Sequence, residues 1–153
     1  MAAAQLKDKD TAYWGVPWEQ AYGYPQARRV GDDIFVSGQF NHDADGNLVA
    51  PAPLDSEGRP SDFSTMGEQM RTAYDNIATL LALYGATLQD VVEETLYVLD
   101  MDAAFAVVGK VRKAAYGCEA PRCASNIIGV SRLAQRPQLI EIACRAVIGS
   151  RAR

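Results

Sequence analysis

Near the end of the chain a single carboxylate, Glu141, interrupts an apolar run: Leu139, Ile140, Glu141, Ile142, Ala143, Cys144. Such a run reads as a buried strand, and an ionised carboxylate taken out of water is costly unless something pairs or uses it. A desolvated acid with a raised pKa holds or moves a proton near neutral pH, which makes Glu141 the first candidate for chemistry. Cys123 invites a nucleophile reading. A reactive thiol needs a histidine, a lysine or a helix N-terminus to lower its pKa, and none stands beside it, so a small packed residue is expected. His42, the only histidine, opens a long loop and is expected to be solvated there in preference to overhanging a cleft as a general base. The stretch from Asp43 to Asn47 faintly resembles a calcium loop, but its twelfth position is Leu54 where a bidentate glutamate is needed, so it reads as a turn. Cys118, Cys123 and Cys144 do not cluster at zinc-ligand spacing, and no metal or cofactor is expected.

The 153 residues suffice for one domain with a real core, 1–153, and not for two. Hydrophobic content of 48% with 22% charged residues belongs to a globular chain and not to a disordered one. A net charge of −4 and the lack of a basic stripe argue against a nucleic-acid partner, and Arg145, Arg151 and Arg153 read as a solvated terminus. The small, polar start lacks a signal-peptide core, and no apolar run is long enough to span a membrane. Unpaired cysteines suit a reducing cytoplasm, which is the expected location.

The elements that must position these residues follow from periodicity. Residues 1–20, with Trp14, Pro17 and Trp18, read as an extended arm lying on the domain. Ala27–Val30 and Ile34–Ser37 flank Gly31, Asp32 and Asp33 as a hairpin. Residues 40–63, rich in Asp, Gly, Pro and Asn, read as a surface excursion. A helix is predicted to start on a capping box, Thr65 with Glu68, and to bury Met70, Tyr74, Ile77, Leu81 and Tyr84 before Gly85. A strand over 91–99 carries Val92, Leu96 and Val98 on one face and Tyr97 and Leu99 on the other. A second helix capped by Asp100 is predicted to bury Phe105, Val108, Val111 and Ala115 and to end at Gly117. Strands over 124–130 and 139–148 complete the order β-β-α-β-α-β-β, an α+β domain with a mixed sheet and two helices on one face. The last strand turns Ile140, Ile142, Cys144, Ala146 and Ile148 one way and Glu141, Ala143, Arg145 and Val147 the other. The second face is apolar enough to want a partner, so a symmetric oligomer is expected.

On these elements the sequence resembles the Rid (reactive intermediate deaminase, YjgF-like) family. The likeness is carried by Gly23-Tyr24-Pro25-Gln26 with Val30-Gly31-Asp32 and Ile34 to Gln39, by Gly85 to Leu88 with Asp90 to Glu93, Thr95, Tyr97, Val98, Asp100 and Met101, and by Gly129 to Leu133 with Ile140-Glu141-Ile142. The resemblance implies a chorismate-mutase-like fold, a homotrimer with three clefts between subunits, and hydrolysis of small enamines or imines to a keto acid and ammonia. It makes Glu141 the residue that holds the attacking water and Tyr24 a cleft-lining catalytic residue. It places Ser37, Gly38 and Gln39, together with Ser125, Asn126 and Ile127, at the substrate. One departure stands out. Where the deaminases carry an arginine that grips the substrate carboxylate, eight positions before Leu133, this chain has Ser125. An asparagine expected in the second helix falls on Gly109, and Arg122 lies at an odd offset from Ser125, on the other strand face. Loss of a bidentate charge-assisted contact removes on the order of 1.5–3 kcal/mol of binding. The implied branch therefore lacks the arginine and acts on something other than the usual 2-imino acids. A non-catalytic metabolite-binding or protein-interaction trimer is the alternative, and endoribonuclease activity, also associated with this family, is disfavoured by the acidic balance.

Overall fold

Alternation along each strand decides which side of the sheet receives the helices. The computed structural model describes residues 3–152. In chain order it forms β1 (Gln5–Leu6), β2 (Thr11–Tyr13), α1 (Pro17–Tyr22), β3 (Ala27–Val30), β4 (Asp33–Gln39), α2 (Met66–Ala82), β5 (Val91–Val98), α3 (Met101–Tyr116), β6 (Ala124–Gly129) and β7 (Ile140–Val147). The seven strands make one mixed sheet in the order β1-β2-β3-β4-β7-β5-β6. Only β5 and β6 run parallel, and α3 is the crossover that parallel neighbours require. On β7, Ile140, Ile142, Cys144 and Ala146 are buried towards the helices, whereas Glu141 and Ala143 are half-buried and Arg145 is exposed on the open face. α2 packs on β4 and β7 and against α3, burying the expected stripe of Met70, Tyr74, Ile77, Leu81 and Tyr84. Asp100 caps α3 by accepting a hydrogen bond from the Ala103 amide at 2.8 Å.

Five expectations need correction. The N-terminal arm is not merely draped on the domain: β1 and β2 extend the sheet beyond β3, and α1 follows. The arm is tied to α1 by Glu19, whose carboxylate accepts from the Trp14 and Gly15 amides at 2.7 and 3.0 Å. Thr65 stands at the N-terminus of α2 but its side chain caps nothing; the capping box forms instead at Thr87 and Asp90. The register of β5 on β7 shifts between Val91 and Glu93, a bulge that takes Val92 off the helix side and puts Val91 there, while Glu94 follows the alternation of Leu96 and Val98 inward. Phe105 lies on the outer surface of α3, 62% exposed, while Ala104 and Tyr116 fill the buried face with Val108 and Val111. Finally, the 40–63 excursion starts inside the protein, with Phe40, Asn41 and His42 buried. Its two tips are turns in which Asp43 and Asp55 accept backbone hydrogen bonds, which is the turn reading of Asp43–Asn47.

Candidate active site

The open face of β7 meets β4 where the pairing of the two strands becomes irregular, between Val36 and Gln39. Gly38 lies at this irregularity, directly against the Glu141 side chain. A Cβ built on Gly38 would stand 1.9 Å from Glu141 Oε1, 2.5 Å from its Cδ and 2.7 Å from its Cγ. No other residue at 38 leaves the carboxylate where it is. Glu141 Oε2 accepts a hydrogen bond from Gln138 Nε2 at 3.1 Å, and the same amide nitrogen lies 3.2 Å from the Ile140 carbonyl. The carboxylate is thus held from two sides, half-buried, on the face away from α2 and α3.

Tyr24 reaches the same region from the turn after α1. Gly23 closes that helix in the left-handed conformation, with φ 74°, where a residue without Cβ is favoured. Burial pushes the Tyr24 phenol above its ordinary pKa, and the carboxylates of Glu141 and Glu19 push it further in the same direction. Tyr24 is therefore a neutral O–H donor within the field of Glu141. Ser37 Oγ donates to the Pro25 carbonyl at 2.8 Å, fastening β4 to the turn that carries Tyr24. A cleft of about 570 Å³ runs alongside, lined by Lys7, Tyr13, Glu19, Gln20 and Tyr24; Glu141 lies outside its walls.

The other predicted residues divide between the two sheet faces. Ser125 pairs in register with Glu94 and points to the helix side, where a closed polar cluster sits at the β6 edge of the sheet. The Glu94 carboxylate is fully buried. Its Oε1 accepts from Arg112 Nε at 2.7 Å and from Ser125 Oγ at 2.8 Å, and its Oε2 accepts from the hydroxyls of Tyr74 and Tyr116 at 3.0 and 2.9 Å. Arg112 Nη2 donates to Ser125 Oγ at 2.5 Å. A buried charge with four donors is compensated as an isolated one would not be. Burial and the adjacent carboxylate push both phenols far above their usual range. Ile127 shares the helix side, in register with Leu96, whereas Asn126 faces the open side in register with Thr95.

The family model described as Endoribonuclease L-PSP matches residues 18–148. The chain belongs to the YjgF/Rid family. A RutC family protein of Pyrococcus abyssi is 34% identical over 110 residues, covering 72% of this chain and 75% of the relative. Among solved structures, Rv2704 of Mycobacterium tuberculosis, a YjgF/YER057c/UK114 family member, superposes with a TM-score of 0.70 at 27% identity, covering 89% of this chain and 96% of that one. RidA from an Antarctic Psychrobacter superposes at 0.65 with 25% identity, covering 82% and 89%. The mixed α+β sheet is the Rid-family fold.

Within that fold the predicted residues come together only in part. Glu141, Gly38, Ser37 and the Tyr24 turn converge on the open side. Gln39 does not join them: it is fully buried, its Oε1 accepting from Trp14 Nε1 at 3.1 Å and its amide nitrogen donating to Gln26 Oε1 and the Ser37 carbonyl. It braces the strand that carries Gly38. His42 is neither solvated nor in a cleft. It is packed edge-on between Trp14 and Trp18, and Nδ1, 2.7 Å from the Asp43 carbonyl, must carry the proton. Burial lowers its pKa. Cys123 is a half-buried packed thiol, pushed up by burial, which suits no nucleophile. Glu94 and Arg112 escaped the sequence reading. Glu94 keeps the alternation of Leu96 and Val98, which was the signal available for it, whereas Arg112 reads as an ordinary helix-surface cation.

Proposed function

We propose that this Rid-family protein is a small-molecule hydrolase that adds water to an imine or enamine and releases ammonia. The observation that supports this reading best is the Glu141 carboxylate, clamped between Gly38 and Gln138 and within electrostatic reach of the Tyr24 phenol. Hydrolysis of an imine needs a water aimed at carbon and a proton delivered to nitrogen. Glu141 accepts a proton from the water as its oxygen bonds to the imine carbon. That proton goes to nitrogen and gives a carbinolamine; Glu141 then passes the carbinolamine hydroxyl proton to the same nitrogen as C=O forms and the C–N bond breaks, and a carbonyl compound and ammonia leave. Tyr24, neutral and half-buried, donates to the substrate and orients it.

Glu141 and Ser125 lie on opposite faces of one sheet, so no single protomer brings them to one ligand. A cleft containing both sides takes one face from each of two neighbouring chains, which favours a homotrimer burying its open sheet faces. Ser125 stands where the deaminases carry their strand arginine, and this moves the substrate set away from the usual 2-imino acids. The same departure favours, as a second reading, a trimer that binds a metabolite without turnover. The family's endoribonuclease description fits poorly with a chain of net charge −4, since phosphate contacts dominate RNA affinity.

The deciding experiment offers enzymatically generated imines and enamines, with and without a carboxylate, and measures ammonia. Wild type is expected to release it, Glu141→Gln to lose at least about two powers of ten in rate, and the species in dilute solution to have three times the 16.6 kDa chain mass. Equal rates in wild type and Glu141→Gln refute the mechanism. Ligand-dependent melting shifts with no ammonia support the non-catalytic reading.

A further inference from the structure

A one-way relay of side-chain amides runs from the N-terminal arm to Tyr24. It starts at Trp14, whose indole Nε1 can only donate and does so to Gln39 Oε1 at 3.1 Å. Gln39 Nε2 is therefore the donor on the far side, giving to Gln26 Oε1 at 2.8 Å and to the Ser37 carbonyl at 2.9 Å. With its oxygen committed to Gln39, Gln26 turns Nε2 away from the relay. Neither amide is free to flip, because flipping either one sets two N–H donors face to face. Gln26 is 1% exposed, so no ligand reaches it directly. Its Nε2 meets no acceptor at full hydrogen-bond geometry among the described residues. The group it acts on is Tyr24. Burial, Glu141 and Glu19 raise the pKa of that phenol, and the Gln26 side chain pulls it the other way by hydrogen bonding. Only a donor favours the phenolate, so the amide faces the phenolic oxygen with its N–H. A buried donor short of its acceptor is costly in the resting protein. The contact strengthens where negative charge develops on that acceptor.

We infer that Gln26, held in one orientation by Trp14 through Gln39, is a positioning residue for Tyr24. Its Nε2 takes a lone pair of the phenolic oxygen, so the single O–H proton turns away from the relay and towards the ligand. As the Tyr24 hydrogen bond to the ligand shortens, charge builds on the oxygen and the Gln26 contact tightens. The hydroxyl is aimed before the ligand arrives and needs no reorganisation afterwards. This role rests on the reading of Tyr24 as the donor to substrate, and through Trp14 it makes the N-terminal arm part of the site.

The test replaces Tyr24 in the full chain by a fluorotyrosine, whose phenol ionises lower than tyrosine, and follows its ionisation by fluorine NMR. Gln26→Met keeps the side-chain length and removes both amide protons, while Gln39 Nε2 retains the Ser37 and Gly38 carbonyls. The ionisation midpoint should rise by about half a pH unit or more in the folded variant. A side chain that only fills space would leave it where it is. With an imine substrate, kcat should fall about tenfold while KM stays within about twofold. A second measurement leaves Gln26 unaltered. Tyr24→Phe keeps the ring and removes only the hydroxyl, so the Gln26 carboxamide protons, observed by NMR in glutamine-labelled protein, should move upfield. This carries the test where Gln26→Met does not fold. An unmoved midpoint in folded Gln26→Met, or unmoved Gln26 carboxamide protons in Tyr24→Phe, overturns the inference. A raised midpoint with no ammonia release from any imine leaves it standing and refutes the hydrolase; ammonia release with an unmoved midpoint does the reverse.

Discussion

Gly38→Ala isolates the placement of Glu141 from its chemistry. Gly38 has no left-handed backbone, so alanine meets no conformational penalty there and the whole effect is steric. The new methyl carbon would lie 1.9 Å from Glu141 Oε1, and restoring ordinary van der Waals separation moves the carboxylate by about 1.5 Å. The atoms in the way belong to the far end of a flexible side chain on the open face, so the overpacking cost should stay near the lower end of about 1–3 kcal/mol. Loss of the 3.1 Å bond from Gln138 adds about 1 kcal/mol. A misplacement of that size costs about two powers of ten in a positioned reaction. Gly38→Ala should therefore fold, melt only a few degrees below wild type, and lose most Glu141-dependent ammonia release. The second half of the cycle sharpens this. In a Glu141→Ala background the obstruction is gone, so Gly38→Ala should become nearly neutral for stability, a coupling of about 1 kcal/mol or more. Denaturant titrations of the four proteins measure it. Full activity in Gly38→Ala, or additive stability losses, would show that the carboxylate does not depend on the bare backbone at 38.

Two further outcomes concern protonation. Because burial and the Glu141 and Glu19 carboxylates raise the Tyr24 pKa, its phenol stays protonated through pH 10; the difference in absorbance titration between wild type and Tyr24→Phe should place its ionisation above that, and a Tyr24 ionising below pH 10 contradicts the burial described here. His42 is held neutral by burial, so the unfolded chain binds a proton that the folded one refuses: stability should be at its full value above about pH 6.5 and fall as pH drops below it, with a slope of up to about 1.4 kcal/mol per pH unit that His42→Phe removes from chemical denaturation curves.

The sheet order, the helices and the buried stripes were legible because each element carries its own period: Ile140-Ile142-Cys144-Ala146 alternate, and Met70-Tyr74-Ile77-Leu81 step by four and three. Glu141 was legible as the polar member of an apolar strand. The misreadings arose where a long-range partner decides the outcome. The bulge at Val92 is set by how β5 seats against β7, and it puts Val91 in place of Val92 on the helix side. His42 looks solvated in a polar loop until Trp14 and Trp18, more than twenty residues upstream, close over it. Gln39 belongs to a motif that reads as a substrate turn, yet its amide is consumed by Trp14 of the arm and by Gln26 of the turn before β3.

Polar groups on the two faces of this sheet solve opposite problems. On the helix side Glu94 is sealed, and four donors satisfy it so completely that its charge serves to hold Arg112 still. On the open side Glu141 has one hydrogen-bond donor from Gln138 and a glycine cleared from its path, which leaves lone pairs free for a water. A protomer alone keeps Ser125 and Glu141 on opposite faces of the sheet. On the proposed reading a neighbouring chain lays its β6 edge over the Glu141 face, so catalysis and assembly should fail together: a substitution on the open face that dissociates the oligomer, such as Ala143→Arg, should abolish turnover while leaving both Glu141 and Ser125 in place.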